Sequence, residues 1–242
     1  MKFLTFLWGS PETQIKRARK KVKEPHGDAA VRINAARRLR EMGSPEAILA
    51  LLDRFTITSS PLRQDEDEKE EVISWIVQFG QRAVHPLLTF LKRERQVYWP
   101  MRALQKILPN DELARRINEI LRYHWEYPPA SSEPKAQLIR SLGALYSQEL
   151  LETVRLFLED EDDDVCLRAT DYLFGRPESD VRDSVIQCYL NAKDRPRVRT
   201  QILERLVEQG WKVKGFRAKV EDSLPEGFSL NRDGTVKVLR NT

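Results

Sequence analysis

The chain has 242 residues, 40% apolar and 32% charged, with a formal net charge of +4, which allows one or two domains with a buried core and excludes a disordered chain. Its two cysteines, Cys166 and Cys188, make neither a disulfide framework nor a zinc spacing, so reduced, partly buried thiols and a cytoplasmic setting are expected. No apolar run approaches the roughly 18 residues of a membrane span, and MKFLTFLWGSPE lacks the apolar length and cleavage site of a secretory signal.

The charge is uneven: residues 1–40 hold eleven basic and three acidic side chains. Residues 12–24, ETQIKRARKKVKE, predict a helix with a basic patch of Lys16, Arg17, Arg19, Lys20, Lys21 and Lys23. Such a patch can attract nucleic acid or an anionic membrane surface. Phe3, Leu4, Phe6, Leu7 and Trp8 precede it, separated by Gly9-Ser10-Pro11, and are expected to cover the open end of the first helical hairpin.

From 31 the sequence acquires a repeating syntax. Val31, Ala35, Leu39 and Met42 recur at helical spacing, and Gly43 ends the helix as a left-handed cap. Ser44-Pro45-Glu46 then supplies an N-cap, a proline at the first helical position and an acid in the first turn. Ile48, Leu49, Leu51 and Leu52 form the second stripe, so the segment reads as helix, tight turn, helix. The pattern returns in register in VCLRATDYLFGRPESDVRDSVIQCYL at 165–190 and VRTQILERLVEQG at 198–210. Weaker copies span 72–91, 100–121 and 134–158. With Leu39, Ile76, Leu104, Leu142, Leu173 and Leu206 as equivalents, the period is about 33 residues, within the solenoid range. Each hairpin has an apolar face too large to hide alone, and stacking neighbours hides it.

These residues, D28-A-A-V31-R32-I-N-A35-A36-R-R-L39 with G43-S-P-E-A47-I-L49 and their copies, resemble the short HEAT repeats of the phycobilisome-lyase type over roughly 28–210. The resemblance implies an all-α superhelix, a HEAT/armadillo-like solenoid of about six hairpins. It is almost silent on function, since the family spans scaffolds, adaptors and a few enzymes, and a protein-binding scaffold of the bacterial cytoplasm is the default expectation. The expected organisation is a basic N-terminal helix and cap at 1–27, the solenoid at 28–210, and a C-terminal cap at 211–242. In that cap GFRAKVEDSL reads as a last helix, and FSL-NRDG-TVKV alternates around a glycine turn as a β-hairpin.

Two acidic runs, DEDEKEE at 65–71 and EDEDDD at 159–164, are expected to solvate helix faces and loops, the second also favouring the next helix start. The second lacks the alternation and terminal glutamate of a calcium loop. Loops at 57–67 and 127–134 are rich in proline, serine and acids. His26, His85 and His124 sit in separate repeats and read as structural, His85 at a helix start before Pro86. The five tryptophans read as packing. No phosphate loop, dinucleotide fingerprint or nucleophile elbow is present.

The expected function is therefore a non-catalytic scaffold for another protein, with no cofactor or metal. In HEAT arrays the second helix of each hairpin lines the binding side, which nominates His85, Lys92, Arg115, Arg122, Arg155 and Gln187 as contacts. The alternatives are an enzyme similar to bilin lyases or helical-repeat DNA glycosylases, or anionic-partner binding through the basic N-terminus. No catalytic motif of either enzyme group is matched, and the acidic middle disfavours a glycosylase groove.

Overall fold

The computed structural model describes residues 10–239, which form thirteen α-helices, two short 3-10 segments and a two-stranded antiparallel sheet. The helix boundaries follow the capping residues. Helix α1 (Pro11–Val22) begins on Ser10, whose hydroxyl accepts from the Thr13 amide. Helix α2 (Ala29–Met42) begins on Asp28, which accepts from the Ala30 amide at 2.7 Å, and ends on Gly43 at φ +57°, a conformation that a side chain would strain. Helix α3 (Pro45–Leu52) starts on Ser44, which accepts from the Ala47 amide. The helix–turn–helix expected at 31–55 is thus formed.

The chain divides into two compact units between Pro134 and Lys135. In the first, α2 and α3 are succeeded by α4 (Leu62–Gln78), α5 (Gln81–Arg93), α6 (Tyr98–Ile107) and α7 (Asn110–Glu126). First helices pack on first helices, α2 on α4 and α4 on α6. Second helices pack on second helices, α3 on α5 and α5 on α7. That is the contact pattern of stacked hairpins. Helix α1 rests on both α2 and α3 through Ala18 and Val22, closing the first hairpin from that side.

The second unit holds α8 (Glu133–Ser141, which starts at the division), α9 (Gln148–Leu156), α10 (Asp163–Phe174), α11 (Glu178–Asn191), α12 (Pro196–Gln209) and the short α13 (Arg217–Glu221). Helix α10 packs on α9, α11 and α12. The expected β-hairpin forms: β1 (Phe228–Leu230) pairs with β2 (Val236–Val238), Phe228 opposite Val238. Strand β2 packs on α12 with Val236 buried, and Trp211 lies against the Phe174 ring at 4.8 Å.

The repeat period is written into the packing. Leu39, Ile76, Leu104, Leu142, Leu173 and Leu206 are all at most 1% exposed, so one position per repeat anchors each core layer. Ion pairs also join residues one repeat apart: Arg32 with Glu68, Arg102 with Glu70, Arg195 with Asp163, Arg197 with Asp164, and Arg205 with Asp171. An arginine clasps the hairpin turn in each unit. Arg82 donates to the Gly43 carbonyl, and Arg176 to that of Gly143 at 2.6 Å.

Several sequence expectations need correction. Val31 is 47% exposed, and its neighbour Arg32 is buried instead. Val165 and Val198, its equivalents, are fully buried. The reason is positional: the neighbour of α2 on that side is the single helix α1, not a full hairpin, and a groove is left beside Val31. The run at 65–71 is not simply solvated, because Asp65, Glu68 and Lys69 are buried. In the run at 159–164 Asp160 is buried on Lys135, while Asp162 caps α10 and Asp163 and Asp164 occupy its first turn, as dipole reasoning expects. His85 is the fifth residue of α5 rather than its start, because the helix begins directly after the Gly80 turn and tolerates Pro86 within it. Trp125 is partly exposed, 37%, whereas Trp75 and Trp211 are buried. The apolar residues Phe3, Leu4, Phe6, Leu7 and Trp8 lie outside the described residues.

Candidate partner-binding surfaces

The second helices bury one face and present the other. On α5, Ala83, Val84, Leu87, Phe90 and Leu91 face inward, leaving His85 and Lys92 exposed. On α7, Leu113, Ala114, Ile117, Ile120 and Leu121 face inward, leaving Arg115 and Arg122 exposed. Each exposed pair is seven residues apart, two turns along one helix face. The two rows adjoin: the Lys92 ammonium stands 4.8 Å from the centre of the Tyr123 ring. Four of the six nominated contacts therefore share one charged surface in the first unit.

The other two, Arg155 and Gln187, meet in the second unit. They line a cleft of about 560 Å3 between α9 and α11, beside Leu156, Cys188, Asn191 and Arg195. Gln187 is exposed and donates to Asn191 at 2.8 Å. Arg155 is half-buried and already engaged, by Glu152 at 2.5 Å and by the Asp180 carbonyl. As a free contact it is therefore weaker than helical phase alone suggests.

The basic patch does not act as one surface. Helical geometry fans its six residues around α1 once Ala18 and Val22 turn inward. Arg19 pairs with the buried Asp53, and Lys23 lies 4.0 Å from the same carboxylate. Arg17, Lys20 and Lys21 instead flank a groove of about 890 Å3 between α1 and α2, joined there by Arg38. Lys16 is exposed and does not line that groove.

Buried titratable groups are tied into structure. Glu68 accepts from Arg32 at 2.8 Å through both oxygens and from Arg54 at 3.0 Å. Asp65 accepts from Arg54 at 2.5 Å, Lys69 at 2.6 Å, and the amide and hydroxyl of Ser59 at 2.9 Å. Burial pushes the Asp65 carboxyl up, but the bonds from Lys69, Arg54 and Ser59 outweigh it and hold it down at about 2. His124 is buried with Nε2 3.1 Å from the Leu91 carbonyl; that oxygen can only accept, so Nε2 carries the proton. Cys166 and Cys188 are free and buried, with sulfurs 3.6 Å apart. Both thiols lie within hydrogen-bond reach of the Leu158 carbonyl, Cys166 at 3.4 Å and Cys188 at 3.5 Å, and the neighbouring Cys166 together with burial pushes the Cys188 thiol up. Among the described residues no group of three or more His, Cys, Asp or Glu could hold a metal ion. Nor is any described helix long and apolar enough to cross a membrane.

Sequence reasoning missed the Arg32–Glu68–Arg54–Asp65–Lys69 network. A signal existed: arginines and acids separated by one repeat length, as Arg32 and Glu68 are by 36 residues.

Comparison with known proteins adds one finding. Residues 31–55 match the sequence model of the PBS lyase HEAT-like repeat. The matched segment is the first hairpin, α2 with α3, so the chain carries a HEAT-like repeat within an all-α array of helical hairpins. No curated protein and no solved structure gives a significant match.

Proposed function

We propose that this HEAT-repeat chain is a non-catalytic scaffold that binds another protein across its second helices, chiefly on the α5–α7 face. The observation that carries this reading is the pair of exposed rows, His85 with Lys92 and Arg115 with Arg122, on adjoining helices whose opposite faces are fully used in packing. Rigid, evenly spaced helices hold such side chains at fixed separations, which favours recognition of an extended protein surface. The buried carboxylates support the reading in a second way, because their bonds are spent on holding helices together.

The test is a crosslinked pull-down at physiological salt, read by mass spectrometry, comparing the full chain with its Lys92→Glu/Arg122→Glu variant. Both substitutions are on exposed positions and should leave helicity unchanged. A partner retained by the parent and reduced about tenfold in the variant supports the reading. Equal retention by both, or no protein retained by either, contradicts it. Base release from alkylated DNA or bilin transfer by the purified chain would replace it with an enzymatic reading.

A further inference from the structure

The geometry points to a second docking site: the groove between α1 and α2 receives an acidic amphipathic helix of a partner protein. This rests on the scaffold reading but uses a different surface, so either can fail alone. The groove encloses about 890 Å3 and is lined on one side by Arg17, Lys20 and Lys21, on the other by Arg38. Among the described residues none of these four has an ion pair, in contrast to Arg19, which the same helix commits to Asp53. One acid, Glu41, lines the groove with them. The lining includes Val31, 47% exposed, at a position whose equivalents in α10 and α12 are sealed in the core. An exposed apolar position between two basic walls is complementary to a helix with an apolar ridge flanked by acids, the helix-in-groove mode of recognition. Helix α1 is twelve residues long, about 18 Å, which fits roughly three turns of a bound helix. A nucleic acid would use the cations but would gain nothing from Val31, because phosphates and sugars present no apolar ridge there. An anionic bilayer meets convex surfaces more readily than a groove between two helices.

The experiment is fluorescence anisotropy on the full chain. The probe is a labelled helical peptide of about 14 residues with leucines at i, i+4 and i+7 and glutamates on both flanks. Its control is a scrambled isomer of identical charge. The peptide is expected to bind at least about tenfold more tightly than the isomer. Arg17→Glu/Lys21→Glu is expected to weaken it about tenfold or more, and Val31→Glu about fivefold. Val31→Glu sits in the first turn of α2, where an added acid suits the helix dipole, so folding is preserved. Lys92→Glu/Arg122→Glu should bind the peptide as the parent does, which separates this site from the α5–α7 face. Equal affinity for peptide and isomer overturns the proposal, as does an unaffected Val31→Glu. A single-stranded oligonucleotide or phosphatidylserine vesicle that binds more tightly through Arg17 and Lys21 also overturns it, by substituting an anionic partner. So does a Leu4→Glu/Leu7→Glu chain that binds the peptide tenfold more tightly, which would assign the groove to the chain's own first residues.

Discussion

Single residues here are decided by whether a charge is paired at the moment it is buried. Glu68 is the clearest case, since one carboxylate serves both Arg32 and Arg54. Removing its charge strands the buried Arg32 guanidinium and leaves Arg54 with Asp65 alone, and breaking such a buried pair costs about 3–5 kcal/mol. Glu68→Gln is therefore expected to destabilise residues 10–134 by that amount, measured by hydrogen exchange of α2 and α4 under increasing urea. Asp65 makes the same network sensitive to acid. Its folded pKa of about 2 lies below the ordinary 3.8, so its contribution is complete above that ordinary value and is lost as pH falls toward 2. The shift corresponds to about 2 kcal/mol. Urea titrations between about pH 5 and 2 should show that loss, and Asp65→Asn should flatten this part of the slope. Arg32 and Val31 show why composition alone misjudges such positions. The valine is exposed and the arginine buried, because the arginine finds Glu68 and the Glu24 and Gly27 carbonyls while the valine faces a groove.

Elements are decided by periodicity and capping, and these were largely legible. The leucine or isoleucine that recurs about every 33 residues, from Leu39 to Leu206, marks a sealed position in, or for Leu142 just after, each first helix. Gly43, Ser44 and Pro45 marked the first turn, and the Asn231–Gly234 turn marked the hairpin between β1 and β2. Caps have measurable weight. Ser147 accepts from the Leu150 amide at 3.1 Å and starts α9, so Ser147→Ala should cost about 1 kcal/mol, seen as faster exchange in the first turn of that helix. What periodicity did not supply was lateral information. It could not say that α1 lies across α2 and α3, that the basic residues of α1 divide between Asp53 and a groove, or that the 65–71 run turns inward. Those outcomes depend on which neighbour each helix face meets, and a spacing rule carries no neighbours. Among the candidate contacts, the exposure of His85, Lys92, Arg115, Arg122 and Gln187 came from helical phase, whereas the engagement of Arg155 by the Asp180 carbonyl depended on a neighbouring helix.

At the scale of the molecule, the proposed recognition uses the α5–α7 face and the groove between α1 and α2. The basic residues matter where they are unpaired and the acids where they are buried; the net charge of +4 says little about either. Binding on the α5–α7 face should weaken with salt, because Lys92, Arg115 and Arg122 are exposed and screened. An increase from about 0.05 to 0.5 M salt should lower affinity for the captured partner by about tenfold or more. The decisive measurement is hydrogen exchange of the full chain with and without that partner. Recognition through second helices predicts slowed exchange concentrated in α5 and α7 and abolished by Lys92→Glu/Arg122→Glu. Protection confined to first helices such as α4 and α6, or unchanged exchange in α5 and α7 at saturating partner, would contradict it.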